Sequence, residues 1–374
     1  MIRNALVVGG GIGGLSTAIA LRRRGVDVDV LELNPRWDVY GVGIIQAANA
    51  IRALDQLGLA ERAIAEGYAM TGSRFFTKDG DLLGAVPAME ILGPKYPAMN
   101  GITRPRLHAI FQDAVRDAGV DVRLGVTVST LEQGDDAVTV ESTDGETRTY
   151  DLVVGADGIN SLVRSKVFGD ELRPEYTGQV VWRYNVPRPA DLETLDMFVG
   201  SNGKAGFVPL APDLMYVLYV EAVAPDDVSV PEDALAAIMC RRLAEFGGPV
   251  AEIRDSHITD ARKVVYRPVE SILVPAPWYR GRVVLVGDAA HATSPHVGQG
   301  AAMAMEDALV LAEEAASEGP LDDALARFMS RRFERCEFIW SVSRQIGQWE
   351  IDHVEDADFV GLTVQSIQVT AEPI

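Results

Sequence analysis

The sequence contains little cysteine and no long apolar run. Cys240 and Cys336 are its only cysteines in 374 residues, too few and too far apart for a disulfide framework or a cysteine-rich metal site. No stretch reaches the roughly 18 uninterrupted apolar residues of a membrane-spanning helix, and glycines interrupt the N-terminal apolar segment. We therefore expect an untargeted cytoplasmic protein with no membrane partner.

Basic residues are also scarce. Lys and Arg number 34 against 54 Asp and Glu, which gives a formal net charge of −20. A field of that sign repels polyanions, so we expect no nucleic-acid partner, although a local basic pocket for an anionic ligand is compatible with it. The five histidines never reach H-x-x-x-H spacing with a carboxylate partner, and we expect no metal site.

The N-terminus has the pattern of a β-α-β unit. Residues 5–8 form a short apolar run that predicts a buried strand, residues 15–24 keep helical spacing, and residues 26–33 predict a second strand. The segment Gly9-Gly10-Gly11-Ile12-Gly13-Gly14 lies between the first strand and the helix. This context indicates a dinucleotide site.

Each position of this glycine motif has a physical reason. Gly9 allows a tight turn, Gly11 allows the backbone to approach a pyrophosphate, and Gly14 allows close packing of helix on strand. Glu32 ends the next strand 18 residues after Gly14 and can accept hydrogen bonds from ribose hydroxyls. Gly13 completes the candidate loop. An acidic residue at the ribose position suits the adenosine of either FAD or NAD.

Two further glycine turns follow apolar strands. Residues 151–164 contain Asp157-Gly158, and residues 281–301 contain Gly287-Asp288 followed by Pro295-His-Val-Gly298-Gln299-Gly300-Ala301. In these residues and in the first motif, the chain resembles the single-component FAD-dependent aromatic hydroxylases, the para-hydroxybenzoate and salicylate hydroxylase group. The resemblance covers nearly the whole chain in motif order.

The resemblance implies a tightly bound FAD and a set of residues around it. Asp288 would hold the ribityl chain, the Asp157-Gly158 turn would support the pyrophosphate, and Arg104, rather than neighbouring Arg106, would reach the phosphates. Arg164 either neutralises Asp157 or belongs to this turn. The remaining candidate cofactor contacts are Gly43, Val126, Pro295, Gly298, Gln299, Gly300 and Ala301.

The resemblance also suggests residues for catalysis. Lys204 precedes Pro209 by five residues, where related urate-type hydroxylases carry a substrate-binding arginine, and it would offer a point charge to a phenolate. Tyr216 follows Pro209 by seven residues and matches a tyrosine near substrate, while His296 lies beside the flavin loop. Solvated surface roles stay open for Lys204 and Tyr216. The Trp182-Arg183-Tyr184 segment favours core aromatics with a paired arginine.

These patterns predict an α/β fold. A Rossmann-like FAD-binding domain of the glutathione-reductase type would comprise residues 1–72, 102–175 and 279–374 with C-terminal helices. A sheet-based substrate domain would be inserted as residues 73–101 and 176–278. We expect a monomer or homodimer.

The implied function is a monooxygenase. It would use NADH or NADPH and O2 to hydroxylate a small aromatic or heteroaromatic substrate through a flavin C4a-hydroperoxide. The alternatives are an FAD-dependent reductase or dehydrogenase without oxygen insertion, a nicotinamide dehydrogenase using the first motif alone, and a non-enzymatic flavin-binding protein.

Overall fold

The computed structural model describes residues 2–39, 41–89, 93 and 95–374. Its strands, in chain order, are β1 (Asn4–Val8), β2 (Asp27–Glu32), β3 (Gly43–Ala47), β4 (Tyr68–Ala69), β5 (Gly72–Thr77), β6 (Leu82–Pro87), β7 (Met99–Thr103), β8 (Asp121–Leu124), β9 (Val128–Gln133), β10 (Val138–Ser142), β11 (Thr147–Tyr150), β12 (Leu152–Gly155), β13 (Glu175–Pro187), β14 (Leu195–Val199), β15 (Gly203–Ala211), β16 (Leu214–Ala222), β17 (Val265–Ser271), β18 (Tyr279–Arg280) and β19 (Val283–Leu285). Its α-helices are α1 (Ile12–Arg23), α2 (Ala48–Gln56), α3 (Ala60–Ala65), α4 (Arg104–Asp117), α5 (Leu162–Phe168), α6 (Leu235–Arg242), α7 (Gly248–His257), α8 (Asp288–His291), α9 (Gly300–Ala315), α10 (Leu321–Ile351) and α11 (Phe359–Ala371).

A six-stranded sheet holds the N-terminal motif. Its strand order is β18-β19-β12-β1-β2-β8, and every pairing is parallel except that of β18 with β19. The apolar runs of β1, β12 and β19 are buried because helices cover both faces of such a sheet. Their carboxyl ends meet at one edge, so the three glycine turns that follow them come together.

A seven-stranded sheet of order β17-β13-β16-β15-β14-β5-β6 forms the second layer. The face bearing Trp182, Tyr184 and Tyr219 packs into a core that includes residues of helices α6 and α7. The opposite face carries Leu210 and Tyr216, which pack in a separate cluster with residues that precede and follow β3. This second face is therefore turned toward the parallel-sheet layer.

The C-terminal helices join the two layers. Helix α10 packs on α9 and also contacts β13 and β16, and α11 packs on α10. At the α9–α10 interface the fully buried guanidinium of Arg332 pairs with Glu306 and Asp307, each at 2.8 Å. Within the described ranges, no helix combines the length and hydrophobicity needed to cross a bilayer.

Several elements differ from the patterns in the sequence. Apolar residues at helical spacing over residues 47–65 predict one helix, but the structure divides this segment between α2 and α3. The helical pattern of residues 321–346 continues for five more residues, to the end of α10 at Ile351. The three-stranded sheet β3-β7-β4 and helices α7 and α11 were not predicted. In each of these the local pattern is short or interrupted by glycine.

Candidate active site

A cavity of about 550 Å³ lies where the two layers meet. Its wall is built from the glycine loop before α1, the start of α4, the turns that flank α8, the start of α9, and strands β3, β13 and β16. Distant segments of the chain therefore contribute to one site.

The glycines of the first loop have different surroundings. A Cβ on Gly9 would lie 2.3 Å from the carbonyl oxygen of Ala156, and one on Gly14 would lie 1.9 Å from that of Gly9. A Cβ on Gly11 would meet nothing within 4 Å, and this residue borders the cavity. Gly11 also precedes α1 without a side-chain cap, so the first N–H groups of that helix can bind an anion.

Glu32 lines the cavity next to this loop and is held by two backbone donors. The N–H of Gly10 donates to one carboxylate oxygen at 2.6 Å, and the N–H of Asn34 donates to the other at 2.6 Å. The carboxylate thus has a fixed orientation. It presents an acceptor to a hydroxyl-bearing ligand.

Two residues not predicted from the sequence steady the same loop. Trp37 Nε1 donates to the carbonyl oxygen of Gly10 at 3.1 Å, and His108 Nε2 lies 2.8 Å from that oxygen. Burial lowers the pKa of His108, so the ring is neutral and can donate its Nε2 proton. Both side chains line the cavity.

Arg104 starts helix α4 and lies one turn before His108 on the face that borders the cavity. The neighbouring Arg106 points elsewhere and pairs with Glu66 at 3.3 Å. Thr103 caps the helix by accepting from the N–H of Arg106. The local geometry thus separates the two arginines.

Asp288 borders the cavity at the start of α8, and a buried carboxylate fixes the turn before it. Asp307 Oδ2 accepts from the N–H of Gly287 at 2.9 Å, and this oxygen also lies 2.6 Å from His291 Nε2. Burial opposes charge on these side chains. Even so, Cys336 and Asp307 raise the pKa of His291, while His291 and Arg332 lower that of Asp307.

His291, Asp307 and Cys336 bring ligand-type atoms within 4.8 Å of one another. Arg332 already supplies the positive charge there, since its guanidinium reaches Asp307 at 2.8 Å and Cys336 Sγ at 3.4 Å. This cluster therefore acts as support for the Gly287-Asp288 turn.

The start of α9 forms another part of the wall. Pro295, Gly298, Gln299, Gly300 and Ala301 all border the cavity. Gln299 Oε1 accepts from Asn49 Nδ2 at 2.9 Å, and α9 has no side-chain cap, which leaves its first N–H groups for a ligand.

The other predicted cofactor residues differ in whether they border the cavity. Gly43 borders the cavity, where a Cβ would lie 2.8 Å from the Tyr216 ring. Asp157 does not border it, because its carboxylate accepts from Ser161 Oγ and from the N–H groups of Leu162 and Val163. Val126 is buried and its N–H donates to the carbonyl of Glu32.

Arg164 does not form a hydrogen bond with Asp157 in the described chain. Its guanidinium donates to three backbone carbonyls, those of Ile159, Leu172 and Ala289. It therefore ties the Asp157-Gly158 turn to helix α8.

The predicted catalytic residues separate into two places. Tyr216 borders the cavity beside Arg183. Lys204 pairs with Glu350 of α10, and His296 Nε2 lies 3.3 Å from the same carboxylate while its Nδ1 lies 2.9 Å from Ser294 Oγ. Lys204 and His296 therefore meet at Glu350, behind the cavity wall.

The donor set fits an extended dinucleotide. Two uncapped helix starts, those of α1 and α9, face one cavity and can bind negative charge. Arg104 adds a guanidinium suited to phosphate, while Glu32 and Asp288 offer carboxylates to sugar hydroxyls.

Comparisons with known proteins agree with this geometry. A family model described as an FAD binding domain matches residues 3–319. The chain is 35% identical to 2-heptyl-3-hydroxy-4(1H)-quinolone synthase of Pseudomonas aeruginosa, over 92% of this chain and 90% of that protein. It is 31% identical to 3-hydroxybenzoate 6-hydroxylase of Polaromonas naphthalenivorans, over 92% and 87%. The chain belongs to the FAD-dependent aromatic hydroxylases.

A solved structure adds to this. The hydroxylase is similar to Klebsiella pneumoniae HpxO complexed with FAD and uric acid, with a TM-score of 0.85, 26% identity, and coverage of 99% of this chain and 93% of that one. These findings confirm the predicted family, the fold class and FAD as cofactor. They also confirm the predicted enzyme class, an FAD-dependent monooxygenase that uses NAD(P)H to hydroxylate an aromatic substrate.

Proposed function

We propose that this hydroxylase inserts one oxygen atom from O2 into a small planar ring that occupies the end of the cavity near Tyr216. The observation that carries the proposal is the meeting of dinucleotide-binding groups with Arg183 and Tyr216 in one cavity. One of the relatives named above makes a hydroxyquinolone, the other hydroxylates 3-hydroxybenzoate, and the solved structure holds uric acid. All three are planar rings with oxygen substituents.

The chain's own residues would bind the cofactor along the cavity. The first N–H groups of α1 and the Arg104 guanidinium would bind the pyrophosphate, Glu32 the ribose, and Asp288 the ribityl chain. The start of α9 would place its N–H groups at the ring. Bound FAD supplies the electron transfer from the nicotinamide to O2 and delivers the oxygen atom.

The cavity wall near Tyr216 combines apolar side chains with hydrogen-bond donors. Ile45 packs in one cluster with Tyr216, and Ile44 and Pro295 also line the cavity. Burial raises the pKa of Tyr216, so its hydroxyl stays protonated and can donate a hydrogen bond to a ring oxygen. The Tyr216 side chain would thus orient the ring, with the donated proton held on the Tyr216 hydroxyl oxygen.

Lys204 and His296 stay predictions as catalytic residues. Their common contact with Glu350 supports a positioning role, in which the ion pair holds the loop that carries Pro295 against helix α10. We propose this role because neither side chain borders the cavity within the described residues.

The test is purification followed by three measurements. We expect a yellow protein that retains FAD, NADH or NADPH consumption stimulated by ring compounds, and one labelled oxygen atom in the product under ¹⁸O₂. Hydrogen peroxide without hydroxylated product across a broad panel would favour the reductase alternative. A colourless protein unable to take up FAD would exclude the proposal.

The same proposal includes the division into domains, the location in the cell and the oligomeric state. The two layers would act as a cofactor domain (1–72, 102–175 and 279–374) and a substrate domain (73–101 and 176–278). A cytoplasmic location is supported by the two cysteines, which are both free. A monomer or homodimer stays a prediction, which light scattering would test.

A further inference from the structure

Glu306 of helix α9 is a fully enclosed acid surrounded by cations. Arg332 Nη1 and Arg335 Nε lie 2.8 and 2.9 Å from one of its carboxylate oxygens, and Arg52 Nη2 lies 3.6 Å from the other. Ion pairs of this kind favour the charged carboxylate, which accepts hydrogen bonds and donates none. Glu306 is therefore a fixed group that any neighbouring amide must meet with its N–H side.

Asn49 of helix α2 joins this carboxylate to a residue of the cavity wall. Its Nδ2 donates to Glu306 Oε1 at 3.1 Å and to Gln299 Oε1 at 2.9 Å. Its own Oδ1 is buried and has no hydrogen-bond partner among the described residues. The acceptors at the nitrogen thus set the orientation of the Asn49 amide, because turning it over would place Oδ1 against two other oxygens.

The same reasoning fixes the amide of Gln299, the residue that precedes α9. Its Oε1 must face the Asn49 nitrogen, so its Nε2 is left for a partner on another side. Within the described ranges, Nε2 has no acceptor and is not one of the enclosed polar atoms that lack a partner. Since Gln299 borders the cavity, the N–H groups of its amide are available to a ligand there.

These contacts form a chain of polarity that ends at the cofactor site. The start of α9 also leaves its first backbone N–H groups for a ligand, and the proposed function places the FAD ring beside them. We infer that Glu306, acting through Asn49, holds the Gln299 amide with its N–H groups toward the FAD ring, where they donate to an acceptor atom of the ring. Asn49 and Glu306 are positioning residues in this arrangement. The inference rests on the proposed function and adds a side-chain donor to the cofactor site.

An amide that is held in advance has an energetic advantage over a free one. A free glutamine can present its oxygen or its nitrogen to a ligand, whereas the held amide presents its donor without reordering on binding. A donor at the ring also favours the reduced, more electron-rich form of the cofactor. The Gln299 amide should therefore raise both the affinity for FAD and the reduction potential of the bound flavin.

The experiment measures the reduction potential of the FAD-loaded protein by titration against a reference dye, and the FAD dissociation constant by fluorescence. Gln299→Met removes the whole amide, and Gln299→Glu keeps an acceptor for Asn49 but removes the N–H groups. Asn49→Leu and the smaller Asn49→Ala remove the link to Glu306. The matched control is Asn100→Leu, which breaks another buried amide pair, that of Asn100 Nδ2 with Gln46 Oε1 at 2.7 Å. Neither of these two described residues borders the cavity.

We expect Gln299→Met to raise the FAD dissociation constant on the order of 10-fold and to move the reduction potential to a more negative value. Gln299→Glu should move the potential further, because it also adds a negative charge. Each folded Asn49 variant should shift the potential in the same direction by a smaller amount. Combined with Gln299→Met, it should add nothing to the shift of that variant. Asn100→Leu should keep the wild-type potential, whatever its stability.

The sign of the shift tests the orientation of the amide. A more positive potential or tighter FAD binding in Gln299→Met would show that the amide oxygen faces the ring, and would overturn the inference. An unchanged potential in Gln299→Met or in a folded Asn49 variant, or an equal shift in Asn100→Leu, would overturn it as well. The Gln299 variants keep the orientation testable if both Asn49 variants fail to fold. Failure of the proposed function would show separately, as absent incorporation of labelled oxygen in a protein whose potential still responds to these variants.

Discussion

At the scale of single residues, the glycines that precede α1 show that one motif combines two requirements. Gly14 has no room for a side chain because the carbonyl of Gly9 lies against it, whereas Gly11 has open space in the cavity. Packing therefore requires glycine at position 14, and the approach of a ligand requires glycine at position 11.

These two positions can be tested against each other. Gly11→Val should lower the free energy of unfolding of the flavin-free protein by no more than about 1 kcal/mol, the cost of valine at the position that caps α1. It should weaken FAD binding at least about tenfold, since its methyl groups would occupy the space of the pyrophosphate. Gly14→Ala should lower the unfolding free energy by about 2 kcal/mol or more. Denaturant unfolding measures the changes in stability, and FAD fluorescence titration measures the changes in affinity. Normal FAD affinity in Gly11→Val would contradict the placement of the pyrophosphate beside Gly11.

Asp288 gives a second prediction at this scale. Asp288→Ala removes the carboxylate that faces the cavity and should raise the dissociation constant of FAD about 10-fold or more, because a charge-assisted hydrogen bond to a sugar hydroxyl is lost. Asp288→Asn, which retains an acceptor of the same size, should lose less. Equal FAD affinity in the alanine variant and wild type would remove Asp288 from the site.

At the scale of elements, Glu350 joins helix α10 to the seven-stranded sheet. Its carboxylate pairs with Lys204 of β15 and accepts from Gln179 Nε2 of β13 at 3.0 Å. Burial would raise the pKa of Glu350, but Lys204 and His296 outweigh it and lower the pKa to about 2. The carboxylate therefore stabilises the contact between the helix and the sheet.

The sign of this pKa shift gives a pH prediction. A depressed folded-state pKa contributes stability above the ordinary value of 4.5, and this is lost as the pH falls toward 2. Glu350→Gln should be less stable than wild type by about 2–3 kcal/mol at pH 7, and the difference should narrow by roughly a third or more at pH 3.5. Urea unfolding at both pH values measures it. Glu337→Gln, an exposed change on the same helix, should show no such difference.

The elements also show what a local pattern can predict. Strands β1, β12 and β19 were predictable because each is a short apolar run ended by a glycine turn. The surroundings of Arg183 were not, since they depend on the register of β13 against β16. The partner of Lys204 is 146 residues away, so no local pattern contains it.

At the scale of the whole molecule, the cavity lies between the two layers and draws its wall from both. A ligand bound there contacts segments that are far apart in the chain. Its binding free energy is therefore added to the stability of the folded arrangement as a whole.

Removal of FAD should accordingly lower the melting temperature. At a free FAD concentration about 1,000 times its dissociation constant, the stabilisation is about 4 kcal/mol, which corresponds to a rise of several degrees. Calorimetry of the flavin-free protein with increasing FAD measures this rise. Asp288→Ala should show a smaller one at the same FAD concentration. A melting temperature independent of FAD in a protein that visibly retains it would contradict a site shared by the two layers.

The parallel sheet has a consequence for biosynthesis. Its first strand ends at Val8, and the start of α9 at Gly300 is translated 292 residues later. A nascent chain on the ribosome cannot form the complete FAD site before Gly300 has been translated. Cofactor capture in the cell is therefore a late event, and ribosome-stalled chains ending before Gly300 should emerge without the yellow colour.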